Sequence, residues 1–135
     1  MVKSIFVTVR TGSTRLPSKA LLKINEIPTI EFLIRRLKRA KLKDNIILCT
    51  TELNEDDILC EIAQRNDILF TRGSTEDKLE RWNKACKEHD VEFFVTADGD
   101  DLFCDPELID LGFRHYSQTK PDFIQGTGLI CGSFT

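Results

Sequence analysis

The residues best suited to chemistry fall in two loops, and the first of these is rich in cations and hydroxyls. From Arg10 to Lys19 it reads Arg-Thr-Gly-Ser-Thr-Arg-Leu-Pro-Ser-Lys, directly after an apolar segment. The backbone amides around Gly12, the hydroxyls, and the cations Arg10, Arg15 and Lys19 could together surround a triphosphate. A solvated basic loop is the alternative, and composition alone does not separate the two. The loop has neither the Gly-Lys-Ser/Thr ending of a Walker A loop nor a Gly-x-Gly-x-x-Gly fingerprint.

The second loop is acidic. Its carboxylates are those of Asp98, Asp100, Asp101 and Asp105. Hard oxygen ligands of this kind suit Mg²⁺, which takes one or two protein carboxylates and shares its other positions with phosphate and water. The sequence therefore predicts a magnesium site in this loop. A solvated turn is the alternative for Asp98 and Asp101, and a helix N-cap in front of Pro106 is the simpler interpretation of Asp105.

The elements that must position these loops alternate between periods of two and of about 3.6 residues, which indicates β-α-β units. We expect strands at residues 4–9, 45–50, 67–70, 91–96 and 122–125. Helices are expected to open at Pro28, at an Asn54/Asp57 capping box, after Ser74 and at Asp105. The fold class is α/β, a doubly wound and mostly parallel sheet with helices on both faces. The two loops follow the first and fourth strands, at the carboxyl edge where such sheets bind ligands.

Apolar stripes predict which helix faces pack on the sheet. In the first helix the stripe consists of Ile30, Leu33, Ile34 and Leu37. In the third helix we expect Leu79, Trp82, Ala85 and Cys86 to face inward, with Trp82 a core residue rather than a stacking platform.

Composition limits the classes of protein. The chain has 135 residues, 41% of them hydrophobic, which suits one domain over residues 1–135. The net charge of −3 argues against nucleic acid or an anionic membrane as partner. We find no long apolar run, and expect a cytoplasmic protein. Five cysteines without a Cys-x-x-Cys pair favour neither zinc nor disulfides.

The motif Arg-x-Gly-Ser-Thr-Arg-Leu-Pro-x-Lys after a first strand resembles the signature of the cytidylyltransferases that activate acidic sugars, especially their spore-coat polysaccharide branch. The resemblance implies that this loop wraps the triphosphate of CTP. The residues concerned would be Arg10, Gly12, Ser13, Thr14, Arg15 and Lys19.

Two further segments resemble the same family. Arg72-Gly73-Ser74 matches a turn that lies against cytosine and ribose, and Thr50 and Thr51 match a threonine-rich turn that lines the base pocket. The residues themselves allow simpler interpretations, because Ser74 with Asp77 forms an ordinary capping box and the threonines end a strand.

In the acidic loop, Gly99-Asp100 falls where the resembling family has the Gly-Asp of a Gly-Asp-x-Pro-Leu-x-Asp-Pro stretch. The aspartate of that stretch holds magnesium, which makes Asp100 the preferred ligand, with Asp98 beside it. This sequence departs from the pattern, since it has no proline there and carries an extra acid on each side of Asp100.

The resemblance implies a nucleotide-diphospho-sugar transferase fold and transfer of CMP from CTP to a sugar hydroxyl, with release of pyrophosphate, in surface polysaccharide biosynthesis. The catalytic residues would be Arg10, Lys19 and Asp100, with Mg²⁺ as the cofactor. The partners would be CTP and an acidic sugar, and a homodimer is compatible with the resemblance. One rival is a receiver domain, which wants paired acids after its first strand, where this chain has arginines. The other is a non-catalytic nucleotide-binding remnant or fragment, because members of the family are longer than 135 residues and carry further site residues.

Overall fold

The computed structural model of the chain describes residues 1–12, 15–130 and 132–134. Its strands are β1 (Val2–Thr8), β2 (Lys23–Ile24), β3 (Ile27–Pro28), β4 (Asn45–Thr51), β5 (Leu69–Gly73) and β6 (Val91–Asp98). Its α-helices are α1 (Thr29–Leu37), α2 (Asp57–Arg65), α3 (Lys78–His89) and α4 (Pro106–Thr119). Short 3₁₀ turns cover Lys19–Leu21 and Asn54–Asp56.

Within the described residues, four of the strands form a parallel sheet in the order β5-β4-β1-β6, and β2 and β3 form a small antiparallel hairpin. Ile5 of β1 is in register with Ile46 of β4 and with Val95 of β6. The chain builds outward from β1 to β4 and β5 and then returns to place β6 on the other side of β1. Strand order thus reverses beside β1, and this switch point is where an open α/β sheet leaves a crevice.

Both faces of the sheet are covered, as the alternation of side chains along β1 requires. Ile5 and Val7 point into the larger core cluster, which includes the apolar stripes of α1, α2 and α4. Phe6, between them in sequence, points to the opposite face, where Ala85 and the partly buried Trp82 of α3 cover it. The predicted doubly wound fold with helices on both faces is confirmed.

Five local expectations are wrong. The segment 122–125 is not a strand: it follows Pro121, and Phe123 is 77% exposed. The third strand extends past residue 70 to Gly73, because Thr71 to Gly73 pair with the end of β4.

The other three concern helix starts and a helix face. Helix α3 begins at Lys78 and is capped by Asp77, whose carboxylate accepts the Glu80 amide. Leu79 is 68% exposed, since Arg81 and Ala85 occupy the buried positions of that helix and Leu79 lies on its flank. Asn54 does not cap α2 either, because it begins a 3₁₀ turn and the residue directly before that helix is Asp56.

Candidate functional site

A cleft with a volume of about 500 Å³ opens at the carboxyl ends of β1 and β6, at the switch point of the sheet. The basic side chains on its walls are those of Arg10, Lys19, Lys78 and Arg81. Its acidic side chains are those of Glu76, Asp98 and Asp100. The two loops singled out by sequence therefore face each other across one cleft, as their positions after β1 and β6 predict.

The basic loop is closed at its base. The Ser18 amide donates to the Thr11 carbonyl at 3.0 Å, so the chain leaves β1 and returns next to its starting point. Ser18 has a left-handed backbone, with a φ of 55°, and starts the 3₁₀ turn that carries Lys19. Arg10 and Lys19 both line the cleft, each next to one end of this closure.

The other predicted site residues of the basic loop do not line the cleft or lie outside the described residues. Gly12 is exposed, and a Cβ added there would come within 2.9 Å of a Glu55 carboxylate oxygen. Arg15 is exposed and close enough to Asp100 to lower the pKa of that carboxyl. Ser13 and Thr14 lie outside the described residues, so their predicted phosphate contacts stay predictions.

The acidic loop leaves β6 through a tight contact with β1. The Gly99 amide donates to the Thr8 carbonyl at 2.9 Å, and a Cβ on Gly99 would lie 2.7 Å from the Cβ of Val9. A side chain does not fit there. Glycine at this position therefore lets Asp98 and Asp100, on either side of it, approach the end of β1.

Each of these two acids is paired with a lysine from another element. Asp100 accepts from Lys19 at 2.7 Å, and Asp98 accepts from Lys78 at 2.9 Å. The Lys19 hydrogen bond holds the pKa of Asp100 below its ordinary value. Burial and, after it, the negative charges of Asp100 and Asp98 raise the pKa of Asp101.

The acidic loop offers oxygen donors of the type that Mg²⁺ prefers. In the ranges 1–12, 15–130 and 132–134, no three His, Cys, Asp or Glu side chains form a group that would hold a metal alone. Mg²⁺ does not need such a cage, since one or two carboxylates suffice when phosphate and water complete its shell. Asp98 and Asp100 are each about half exposed toward solvent and border the cleft, so they can supply those carboxylates.

Arg72 is tied to the chain around the end of β4. Its guanidinium donates to the carbonyls of Thr51 and Leu53 at 2.8 and 2.7 Å, and to the Asp57 carboxylate at 2.6 Å. These bonds bridge β5, the end of β4 and the start of α2. The side chain of Arg72 thus has a structural role here and does not line the cleft.

The neighbouring turn is also fixed by local contacts. The Ser74 amide donates to Glu80, and the Ser74 hydroxyl accepts the Asp77 amide. Gly73 is buried, and a Cβ there would lie 2.8 Å from a Glu80 carboxylate oxygen. Ser74 is therefore a turn residue three positions ahead of the true cap, which corrects the Ser74/Asp77 capping box.

Thr50 and Thr51 are both completely buried at the end of β4. The Thr51 hydroxyl donates to the Asp56 carboxylate. These threonines and the turn from Arg72 to Ser74 do not border the cleft, whose wall on this side begins at Thr75. Their predicted contacts with cytosine and ribose stay predictions.

Sequence reasoning missed three residues that shape the cleft. Arg81 is only 4% exposed and donates to the Ser74 and Thr75 carbonyls at 2.8 and 3.4 Å. Lys78 lies 4.9 Å from the centroid of the Trp82 ring, besides pairing with Asp98. The spacing of Lys78 and Arg81 along α3, with Trp82 beside them, is the one signal that could have placed both cations on the inward side.

The third missed residue is Asp56. It is completely buried, and its carboxylate accepts from Thr11 and Thr51. In the sequence it is one acid in the run Asn-Glu-Asp-Asp, where nothing distinguishes it from its exposed neighbours Glu55 and Asp57.

The fold and the site together define an α/β domain with a charged cleft at its switch point. A cytidylyltransferase family model matches residues 5–135, and the chain belongs to that family. This membership, with arginine rather than paired acids after β1, speaks against a receiver domain.

Two curated relatives are informative. The chain is 31% identical over 117 residues to the spore coat polysaccharide biosynthesis protein SpsF of Bacillus subtilis, covering 83% of this chain and 49% of that protein. It is 27% identical over 127 residues to a 3-deoxy-manno-octulosonate cytidylyltransferase of Trichlorobacter lovleyi, covering 94% of this chain and 47% of that enzyme. The chain thus spans about half the length of these relatives.

Two solved structures share the fold. A cytidylyltransferase from Leptospira borgpetersenii superposes with a TM-score of 0.84 at 33% identity, over 89% of this chain and 50% of that one. A CMP:2-keto-3-deoxy-manno-octonic acid synthetase complexed with CTP gives a TM-score of 0.74 at 19% identity, over 89% of this chain and 49% of the other. The second likeness concerns the fold alone.

No helix in the described part of the chain is both long enough and apolar enough to cross a membrane.

Proposed function

We propose that this chain carries the CTP-binding part of a magnesium-dependent cytidylyltransferase that transfers CMP to a sugar hydroxyl and releases pyrophosphate. One observation carries the proposal: the cations of the loop after β1 face the acids of the loop after β6 across a single cleft. Membership of the cytidylyltransferase family supports cytosine as the base.

The charges of the cleft suit a triphosphate. Arg10, Lys19 and Arg15 would hold the phosphates through charge-assisted hydrogen bonds. Lys19 is paired with Asp100, but both side chains are about half exposed, at 46% and 51%. An exposed pair of this kind is worth only about 0–1 kcal/mol, so a phosphate oxygen can compete for the lysine at little cost.

Asp100 and Asp98 are the residues that would hold Mg²⁺ against the phosphates. When bound there, the ion supplies charge neutralisation on the phosphoryl oxygens. Exchange of the lysine partner from carboxylate to phosphate leaves an oxygen of Asp100 available. The protein's own contribution is to hold cations and carboxylates in fixed places before the substrate arrives, so that negative charge developing at the α-phosphate meets preorganised partners.

A covalent route through a cysteine has little support. Cys49, Cys60, Cys86 and Cys104 are free thiols, and none of them lines the cleft. Burial raises the pKa of Cys49 to about 12 and that of Cys104 to about 11. These two thiols stay protonated and unreactive at neutral pH. Direct attack of the sugar hydroxyl on the α-phosphorus of CTP, with pyrophosphate leaving in line, needs no protein nucleophile.

The sugar is proposed to be acidic and to serve a surface polysaccharide. The relatives named for spore coat polysaccharide biosynthesis and for 3-deoxy-manno-octulosonate support this choice. A cytoplasmic location belongs to the same proposal, since the reaction consumes CTP, and a homodimer is compatible with it.

The test is a coupled pyrophosphate assay on the protein encoded by the full reading frame of this chain. We expect release that requires CTP, Mg²⁺ and an acidic sugar such as 3-deoxy-manno-octulosonate, with UTP and a neutral hexose as controls. No release with CTP and a panel of acidic sugars would contradict the proposal. The 135-residue chain assayed alongside separates nucleotide binding from turnover, and binding without turnover is the behaviour expected of a nucleotide-binding fragment.

A further inference from the structure

Asp56 is a buried carboxylate that holds the basic loop without touching the cleft. It ends the 3₁₀ turn before α2 and has no exposed surface. One of its oxygens accepts both the Thr11 amide at 2.8 Å and the Thr11 hydroxyl at 2.7 Å. The other accepts the Thr51 hydroxyl. Asp56 thus joins Thr11, near the start of the basic loop, to Thr51 at the end of β4.

The hydrogen bonds compensate the burial of this charge. A buried carboxylate is unfavourable unless its lone pairs are satisfied, and no salt bridge in the described residues involves Asp56. Burial pushes its pKa up, but the bonds from Thr51 and Thr11 outweigh burial and leave the pKa below its ordinary value. In all three of these bonds the carboxylate is the acceptor, which is the arrangement that suits its ionised form.

Thr11 passes this constraint to both ends of the loop. Its amide and hydroxyl are fixed by Asp56, and its carbonyl accepts the Ser18 amide at 3.0 Å. Arg10 directly precedes Thr11, and Lys19 directly follows Ser18. Both cations line the cleft. Each of them is therefore one residue away from a backbone position that depends on Asp56.

We propose that Asp56 is a positioning residue that sets the basic loop, through Thr11, for the triphosphate. The inference rests on the proposed function and adds a residue that makes no contact with substrate. A loop held in its binding conformation before the ligand arrives loses less conformational entropy on binding, so its anchor contributes to affinity.

The experiment compares dissociation constants for CTP and for CMP, both with Mg²⁺, by titration calorimetry on the 135-residue chain. Thr11→Val removes the hydroxyl, with its 2.7 Å bond to Asp56 and its longer 3.4 Å contact with the Glu55 carbonyl, and keeps the side-chain shape. Thr11→Ser keeps the hydroxyl and is the matched control. We expect Thr11→Val to weaken CTP binding about two- to tenfold, the range for one hydrogen bond. CMP binding should stay within twofold, because the β- and γ-phosphates that the loop holds are absent.

Changes at Asp56 itself extend the series. Asp56→Ala removes all three bonds, and we expect a loss of CTP affinity of about 10- to 100-fold, the range for residues that orient a site indirectly. Asp56→Asn keeps an oxygen for Thr11, and its amide can donate to the Thr51 hydroxyl, so it should recover most of the loss. Circular dichroism melting shows whether each variant is folded at the titration temperature. If Asp56→Ala is unfolded, the result for Thr11→Val decides the question.

The outcomes separate this inference from the function it rests on. If the wild-type chain binds CTP and Thr11→Val binds it equally well, Asp56 does not position the loop, although the proposed function stands. Equal losses for CTP and CMP in Thr11→Val also overturn the inference, since they indicate general damage. If the wild-type chain binds no nucleotide, the proposed function fails and the inference fails with it.

Discussion

Replacing Lys19 with methionine isolates the contribution of one cation to triphosphate binding. The change keeps a long unbranched side chain and removes the charge. In the structure Lys19 loses one contact, the 2.7 Å ion pair with Asp100. Because both side chains are about half exposed, we expect a loss of folding stability below about 1 kcal/mol.

The expected effect on binding is larger than the effect on folding. A hydrogen bond between a charged donor and phosphate contributes about 1.5–3 kcal/mol. At about 1.4 kcal/mol for each factor of ten, this loss corresponds to a CTP affinity roughly 10- to 150-fold weaker. Lys19→Met should therefore reduce the free energy of CTP binding more than it reduces the free energy of unfolding.

Titration calorimetry with CTP and Mg²⁺, beside urea unfolding of the same samples, measures both quantities. Lys23→Met is the matched control, because Lys23 is an exposed cation of the β2–β3 hairpin and does not line the cleft. It should bind CTP as the wild type does. Affinity for CTP within twofold of wild type in Lys19→Met would refute the assignment of the basic loop to phosphate.

Asp105→Ala should cost about 1 kcal/mol in urea unfolding, because it removes the cap bond to the Glu107 amide, and Asp122→Ala in an exposed segment should cost little. CTP affinity should not change in either variant. Asp100→Asn should make CTP binding nearly independent of Mg²⁺ in a metal titration, and an unchanged Mg²⁺ dependence would move the metal site elsewhere. Glu31 is buried and bound to Arg65 and Asn66, and chiefly the Arg65 hydrogen bond lowers its pKa. A lowered carboxyl pKa stabilises the fold above the ordinary pKa, so the stability gap between wild type and Glu31→Gln should be full at pH 7. It should close as the pH falls from about 4.3 through the lowered folded pKa. A gap that persists at low pH would mean that packing, not charge, explains it.

Much of the fold could be predicted because pattern and sheet geometry constrain each other. The alternation of Ile5, Phe6 and Val7 requires a strand covered on two faces, and the structure covers it with helices on both. The meeting of the two loops follows from the same rule, since carboxyl ends of neighbouring parallel strands lie at one edge. The helix start at Asp105-Pro106 could be predicted because helix capping depends on neighbouring residues only. The prediction is confirmed, since the Asp105 carboxylate accepts the Glu107 amide.

The sequence was least informative where contacts are long-range. Asp56 bonds to Thr11, 45 residues away, and no local pattern separates it from Glu55 or Asp57. The long-range partners of Arg72 were equally hidden: its side chain donates to the carbonyls of Thr51 and Leu53, and its contact with the base, implied by resemblance, stays a prediction. Periodicity predicts Leu79 on the inward face of α3, and this prediction is wrong. Which face of the helix is buried depends on its packing against β4 and β5, which the local sequence does not show.

The most direct test of a cytidine triphosphate site is nucleotide selectivity. The melting temperature of the chain would be measured with Mg²⁺ and equal concentrations of CTP, UTP, ATP and GTP. Stabilisation follows RT ln(1 + [L]/Kd), so a ligand at about 100 times its dissociation constant adds about 2.7 kcal/mol. We expect the largest shift with CTP, a loss of that shift when EDTA is added, and little response to the two purine nucleotides. Equal shifts with all four nucleotides, or none with CTP, would contradict a cytidine-specific site in this cleft.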